Sequence, residues 1–130
     1  MLPTTGRLVV ARLDGTRMLD ADHVLYQFSD ALLFPHYFGW NWDALSDCLR
    51  DLNWLAADRY LIVIEKAPRV LRDCAEDRQT LFSILTRAAR YWSSPLGKTP
   101  VAFKVVLLCD NGTEAERLKA EIQGTDDLPS

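Results

Sequence analysis

Tyr37-Phe38-Gly39-Trp40-Asn41-Trp42-Asp43-Ala44-Leu45-Ser46-Asp47-Cys48-Leu49 is the stretch on which the reading of the whole chain turns. Asn41 is a strong helix N-cap, because its side-chain oxygen can accept a bond from an orphan backbone N–H of the first turn. A helix is therefore predicted from Asn41 to about Asn53. At roughly 100° per residue, Trp42, Leu45, Leu49 and Leu52 fall within about 80° of one another and form a core-facing stripe. Asp43, Asp47 and Asp51, at i, i+4 and i+8, point the opposite way. Three like charges at that spacing destabilise an isolated helix. Only Asp43, in the first turn, gains much from the helix dipole.

The wider window sharpens this. Between Pro35 and Asp58 the charged residues are Asp43, Asp47, Asp51 and Asp58 against Arg50, a balance of −3, equal to the formal net charge of the whole chain. The acidity is thus focused on one segment. A solvated helix exterior is the plain explanation of such a face. Beside it stand Tyr37, Phe38, Trp40 and Trp42, four of the thirteen aromatic residues. Some belong to the core, but Tyr37 and Trp40 flank Gly39 in a loop, where one or both can be exposed. Aromatic side chains beside desolvated charges are typical of protein interfaces.

Outward from this segment the pattern reads β-α-α-β-α-α-β-α. Leu8 to Ala11 is a buried strand closed by a turn at Asp14-Gly15. Asp20 or Asp22 caps a helix that runs to about Leu33 and is ended by Pro35. Tyr60 to Ile64 is apolar without alternation, as in a strand covered on both faces. Pro68 opens a short helix through Cys74, and a longer one spans about Asp77 to Trp92. Residues 93–97 form a loop before a strand within Val101 to Cys109. Thr113 and Glu116 match a capping box for a last helix stopped by Gly124, and 126–130 read as a frayed tail. Strands separated by helices favour a parallel sheet with helical crossovers. The expectation is an α/β fold, a small three-stranded parallel sheet packed against helices, in one domain spanning 1–130. Its core covers about 7–110, with an added C-terminal helix and tail over 111–130.

The composition is that of a soluble globular chain, 48% hydrophobic and 25% charged. A pI near 5.3 speaks against a direct nucleic-acid binder. Cys48, Cys74 and Cys109 show no CxxC spacing and read as buried or half-buried reduced thiols. The N-terminal stretch has no secretory pattern and no run reaches the length of a membrane span. A cytoplasmic location follows as the expectation.

The thirteen-residue stretch resembles the barstar signature, Y-[YF]-G-x-N-x-D-A-L-x-D-C-L. The lead-in through Leu13-Asp14-Gly15 and Phe34-Pro35 fits as well, and the resemblance spans about residues 7 to 110. It implies a barstar-like fold and an intracellular inhibitor of a secreted barnase-type, or related guanyl-preferring, ribonuclease in a 1:1 complex. Such an inhibitor is a monomer when free. The second helix and the loop before it would fill the basic cleft, their carboxylates standing where RNA phosphates bind. Position by position, Asp47 corresponds to the family's dominant interface aspartate and Asp43 to its second helix aspartate. Tyr37 corresponds to the contact tyrosine, and Gly39 and Asn41 to loop and cap positions at the interface.

The resemblance also implies where this chain departs. Ser46 stands where the best-known member has an aromatic residue, and Arg50 sets a positive charge at the edge of the acidic face. The family's acidic residue on the last crossover helix aligns with Arg87. These three positions motivate a second reading, a barstar-fold adaptor or immunity module for a basic protein that is not a ribonuclease. The expected partner-binding set is Tyr37, Gly39, Asn41, Trp42, Asp43, Ser46, Asp47, Arg50 and Asp51. No catalytic residue, metal or cofactor is expected. Asp43 and Asp47 have the spacing of an acid–base pair but lie on a convex helix. With Asp51 they would hold a hard cation weakly at best. His23 and His36 read as surface or capping residues, Trp42, Trp54 and Trp92 as core, and Arg69, Arg72 and Arg78 as a solvated basic cluster.

Overall fold

The computed structural model of the chain describes residues 7–93 and 101–126. Three parallel strands, β1 (Leu8–Asp14), β2 (Arg59–Glu65) and β3 (Ala102–Leu107), lie in the order β1-β2-β3. Four helices connect and extend them: α1 (Ala21–Leu32), α2 (Trp42–Leu49), α3 (Ala75–Ser93) and α4 (Gly112–Asp126). Parallel neighbours in register present their side chains on the same side. Val9, Tyr60 and Phe103 therefore share one face with Ala11, Ile62 and Val105, and with Leu13, Ile64 and Leu107. This is the face that meets the core, in which Val24, Phe28, Leu45, Leu49, Leu81 and Phe82 are fully buried.

Among the described residues, no helix covers the other face. Leu8 and Val10 are exposed, and Leu61 and Val63 only half-buried. The lack of alternation along Tyr60 to Ile64 thus does not report burial on both faces. Helices cover one side of this sheet, and β-branched residues on the open side meet the strand preference instead.

Local chemistry accounts for several boundaries. Asp20 caps α1, its Oδ1 accepting from His23 N at 2.9 Å, while His23 Nδ1 lies 2.7 Å from the same oxygen. Asp22 sits inside the first turn. The helix ends at Leu32, three residues before Pro35: Leu33 takes a left-handed conformation at φ 53°, and Phe34 N reaches back to Ser29 O. Gly15 marks a close approach. A Cβ there would fall 2.4 Å from the backbone oxygen of Lys66, so the turns after β1 and β2 press together with no room for a side chain.

Other boundaries depart from the sequence expectation. Helix α2 stops at Leu49 rather than near Asn53. Its last turn gives way to Leu52, left-handed at φ 53°, which directs that leucine into the core at 1% exposure. Pro68 opens only a 3-10 turn, Ala67–Arg69, because Val70 and Leu71 leave the helical conformation to bury completely. Helix α3 begins at Ala75, two residues early. The cap of α4 is Asn111, backed by Glu114 reaching one residue further out, and not a box of Thr113 and Glu116. Asn111 Oδ1 accepts from Glu114 N at 2.9 Å, and Glu114 Oε1 accepts from Asp110 N at 3.1 Å. Gly124 does not stop α4, which continues to Asp126. Residues 94–97 of the expected loop and 127–130 of the expected tail lie outside the described residues.

Arg78 fastens α4 to the rest. Its guanidinium pairs with Glu121 at 2.7 and 3.0 Å and donates to the carbonyls of Pro68 and Val70. It also lies 5.1 Å over the Phe82 ring, and only 14% of its side chain is exposed. It is an internal tie, not part of a solvated basic cluster. Cys48 is buried, Cys74 and Cys109 are half-buried, and none forms a disulfide.

Candidate functional site

The loop before α2 is anchored by aromatic packing. Phe38 is buried, its ring 4.8 Å from Phe34 and 5.0 Å from Trp40, and Phe34 meets Trp54 edge-on. With Phe38 fixed, its neighbours are turned outward. Tyr37 is 67% exposed and Trp40 52% exposed. Trp40 adopts the left-handed conformation at φ 53°, which costs a non-glycine residue about 1 kcal/mol or more. Gly39 beside it needs no positive φ. A Cβ there would meet Ala44 Cβ at 3.4 Å, an ordinary contact. The positive-φ position of this loop is therefore the tryptophan and not the glycine beside it.

Asn41 performs the predicted cap. Its Oδ1 accepts from Ala44 N at 2.8 Å and its Nδ2 donates to Gly39 O at 3.2 Å, so one side chain joins the loop to the helix. Trp42 faces inward. It is half-buried, and its indole N–H donates to Asp77 Oδ1 at 3.3 Å on the first turn of α3. That bond orients α2 against α3 and engages the Trp42 indole N–H within the chain. The other tryptophans tie elements in the same way. Trp54 donates to Leu32 O at 3.0 Å and Trp92 to Leu49 O at 2.8 Å.

The outward face of α2 holds Asp43 and Asp47, both exposed, with Ser46 half-buried between them in sequence. Asp51 is exposed but lies in the turn after the helix, so the face is two carboxylates on α2 and a third beyond its end. Arg50 caps the helix C-terminus. Its backbone N–H donates to Asp47 O, its Nε to Ser46 O at 3.3 Å, and its Nη2 to Asp47 Oδ1 at 3.0 Å. The Asp47 side chain is 76% exposed and that of Arg50 44%. On the inner side of the helix, burial pushes the Cys48 thiol above its ordinary pKa, and the negative charges of Asp51 and Asp47 push it further. Arg87 is exposed on α3.

Tyr37, Gly39, Asn41, Asp43, Asp47, Arg50 and Asp51 are thus the exposed members of the expected set, Asn41 with its amide engaged in the cap, while Ser46 and Trp42 are half-buried and the Trp42 indole is engaged within the chain. Trp40 is a solvent-facing aromatic that the expected set omitted. Its signal was its place beside a glycine in a loop. Among the described residues, no three His, Cys, Asp or Glu side chains are grouped to hold a metal ion. No described helix is long and apolar enough to cross a membrane.

These features define a small α/β protein in which helices cover one side of a three-stranded parallel sheet and an acidic helix stands at the surface behind an aromatic loop. The family model described as Barstar (barnase inhibitor) matches residues 8–108, and the chain belongs to the barstar family. The match ends just after β3, so α4 lies beyond it. No curated protein matches the chain.

Proposed function

We propose that this protein inhibits a ribonuclease of the barnase type, or a related guanyl-preferring enzyme, as a 1:1 complex. In that complex α2 and the loop before it fill the basic cleft of the enzyme. The observation that carries the reading is the exposed Asp47 carboxylate on α2 with Tyr37 and Trp40 exposed on the loop leading into it. A carboxylate receives guanidinium donors through strong, directional charge-assisted bonds. Rigid aromatic side chains supply contact area at low entropic cost. A focused acidic face also speeds encounter with a basic cleft. The chain acts by binding, without catalysis or cofactor, and the family's description as inhibitor supports this.

Titration of barnase with this protein, following RNA cleavage, tests the proposal. Cleavage is expected to stop near one equivalent. Undiminished cleavage by barnase and by related guanyl-preferring enzymes would refute it. The Arg50–Asp47 ion pair favours a second reading, an adaptor or immunity module for another basic protein, since it offsets part of the acidic charge. Capture of a non-nuclease partner from the native cell, together with failure to inhibit, would favour that reading.

A further inference from the structure

Arg50 and Ser46 differ from the rest of the acidic face in kind, and the structure joins them. Arg50 folds back along the last turn of α2, with Nε on the carbonyl of Ser46 and Nη2 on Oδ1 of Asp47. Ser46 lies one turn before Arg50 and contributes its backbone carbonyl to this contact. The result is a fixed cation against the carboxylate expected to anchor the partner. A carboxylate can accept from a second guanidinium through its other oxygen. That second cation would then stand beside Arg50, and in a desolvated interface the repulsion between them is screened little.

We infer that Arg50 sets partner choice at this face. The cleft that receives Asp47 must bring a hydrogen-bond acceptor, in the simplest case a carboxylate, to the Arg50 guanidinium beside the cation that it brings to Asp47. A cleft that is basic throughout is disfavoured, because it must dislodge Arg50 from Asp47 or tolerate a third uncompensated cation. Selectivity of this kind, built by an element repelling the wrong partner, is a general device of specific interfaces. With 44% of its side chain exposed and five N–H donors in its fork, Arg50 has capacity to bond such an acceptor. The inference rests on the reading of α2 as the binding face.

The test measures the affinity and association rate of barnase with the wild-type chain, Arg50→Ala and Arg50→Gln, with circular dichroism confirming the fold of each. Both variants are expected to bind about tenfold or more tightly than wild type at low salt. The difference should shrink as ionic strength rises. Glutamine should act in the same direction as alanine, since the effect belongs to the charge. A wild type that fails to bind while Arg50→Ala binds would support the inference most strongly. Equal binding by folded Arg50→Ala and Arg50→Gln, with wild type binding, would overturn it, and the inhibitor reading would stand; weaker binding by both would support it in the other direction, with barnase itself bringing the acceptor to Arg50. No binding by any of the three folded proteins would remove the inhibitor reading, and this inference with it.

Discussion

The indole N–H of Trp92 donates to the carbonyl oxygen of Leu49 across 2.8 Å, joining the far end of α3 to the last residue of α2. Leu49 is fully buried. A buried carbonyl left without a partner costs about 1–3 kcal/mol. Trp92→Phe retains an aromatic ring against Tyr60 and Phe103 while removing the donor. It should lower unfolding stability by about 1–3 kcal/mol, read as a lower urea midpoint with unchanged slope.

Gly15 offers a sharper steric test. The Cβ of Gly15→Ala would lie 2.4 Å from Lys66 O and 2.7 Å from Glu65 O, both backbone atoms. No rotamer change relieves that overlap, so the turns that follow β1 and β2 must separate. A loss of about 2–4 kcal/mol is expected, large for an alanine substitution, with a correspondingly depressed thermal midpoint.

At the proposed interface, Asp47→Ala should weaken binding of the ribonuclease by about 2 kcal/mol or more, roughly thirtyfold. Asp51→Ala, in the turn beyond the helix, should cost less than about fivefold. Neither carboxylate is needed for the core, so both variants should unfold close to wild type. Association should also slow as salt is raised. Stopped-flow binding reads the rates, and equal effects of the two substitutions would remove Asp47 from its assigned place.

Acid should loosen the fold through Asp14 and Asp20. The Thr16 hydroxyl donates to Asp14 and holds its carboxyl below the ordinary 3.8. The backbone N–H of His23, followed by its ring, does the same for Asp20. A carboxyl whose pKa is lower folded than unfolded adds stability above the unfolded pKa. That stability is lost as pH falls through the folded value. Urea midpoints should therefore fall from about pH 4 downward. The double variant Asp14→Asn, Asp20→Asn should show a shallower acid decline, since asparagine can still cap without titrating.

Arg78→Met keeps an apolar stem near Phe82 but removes the fork that joins Glu121 to Pro68 O and Val70 O. Breaking a mostly buried charge network of this kind costs about 2–4 kcal/mol. The loss should centre on α4, read as earlier hydrogen exchange of its amides than of those in β2.

Much of the fold was legible because its signals are local. The caps of α1 and α2 are bonds between residues three apart, Asp20 with His23 and Asn41 with Ala44. Three strand-like runs separated by helical periodicity dictated a parallel sheet. Thr113 and Glu116 misled because a second capping pair, Asn111 and Glu114, sits two residues earlier with the same spacing. The candidate site divided in the same way. Periodicity opposed Asp43 and Asp47 to Leu45 and Leu49, and burial follows that division. Periodicity extended past Leu49 also put Asp51 on a helix that has already ended.

The sequence by itself determined the two-sided character of α2, its start at Asn41, the concentration of acid around it and the alternation of strands and helices along the chain, since each depends on neighbours within a few residues or on composition. Only the tertiary structure decided where α2 stops and which aromatic side chains face out. It also decided that Trp42 is engaged by Asp77 and that Arg78 is a tie rather than a surface charge. The contacts of Trp42, of Arg78 and of the end of α2 rest on partners 35 to 43 residues away, which no local pattern encodes. The Arg50–Asp47 pair is close in sequence, but its formation follows from the helix ending at Leu49. There Arg50, as the C-cap, folds back onto the turn that carries Asp47.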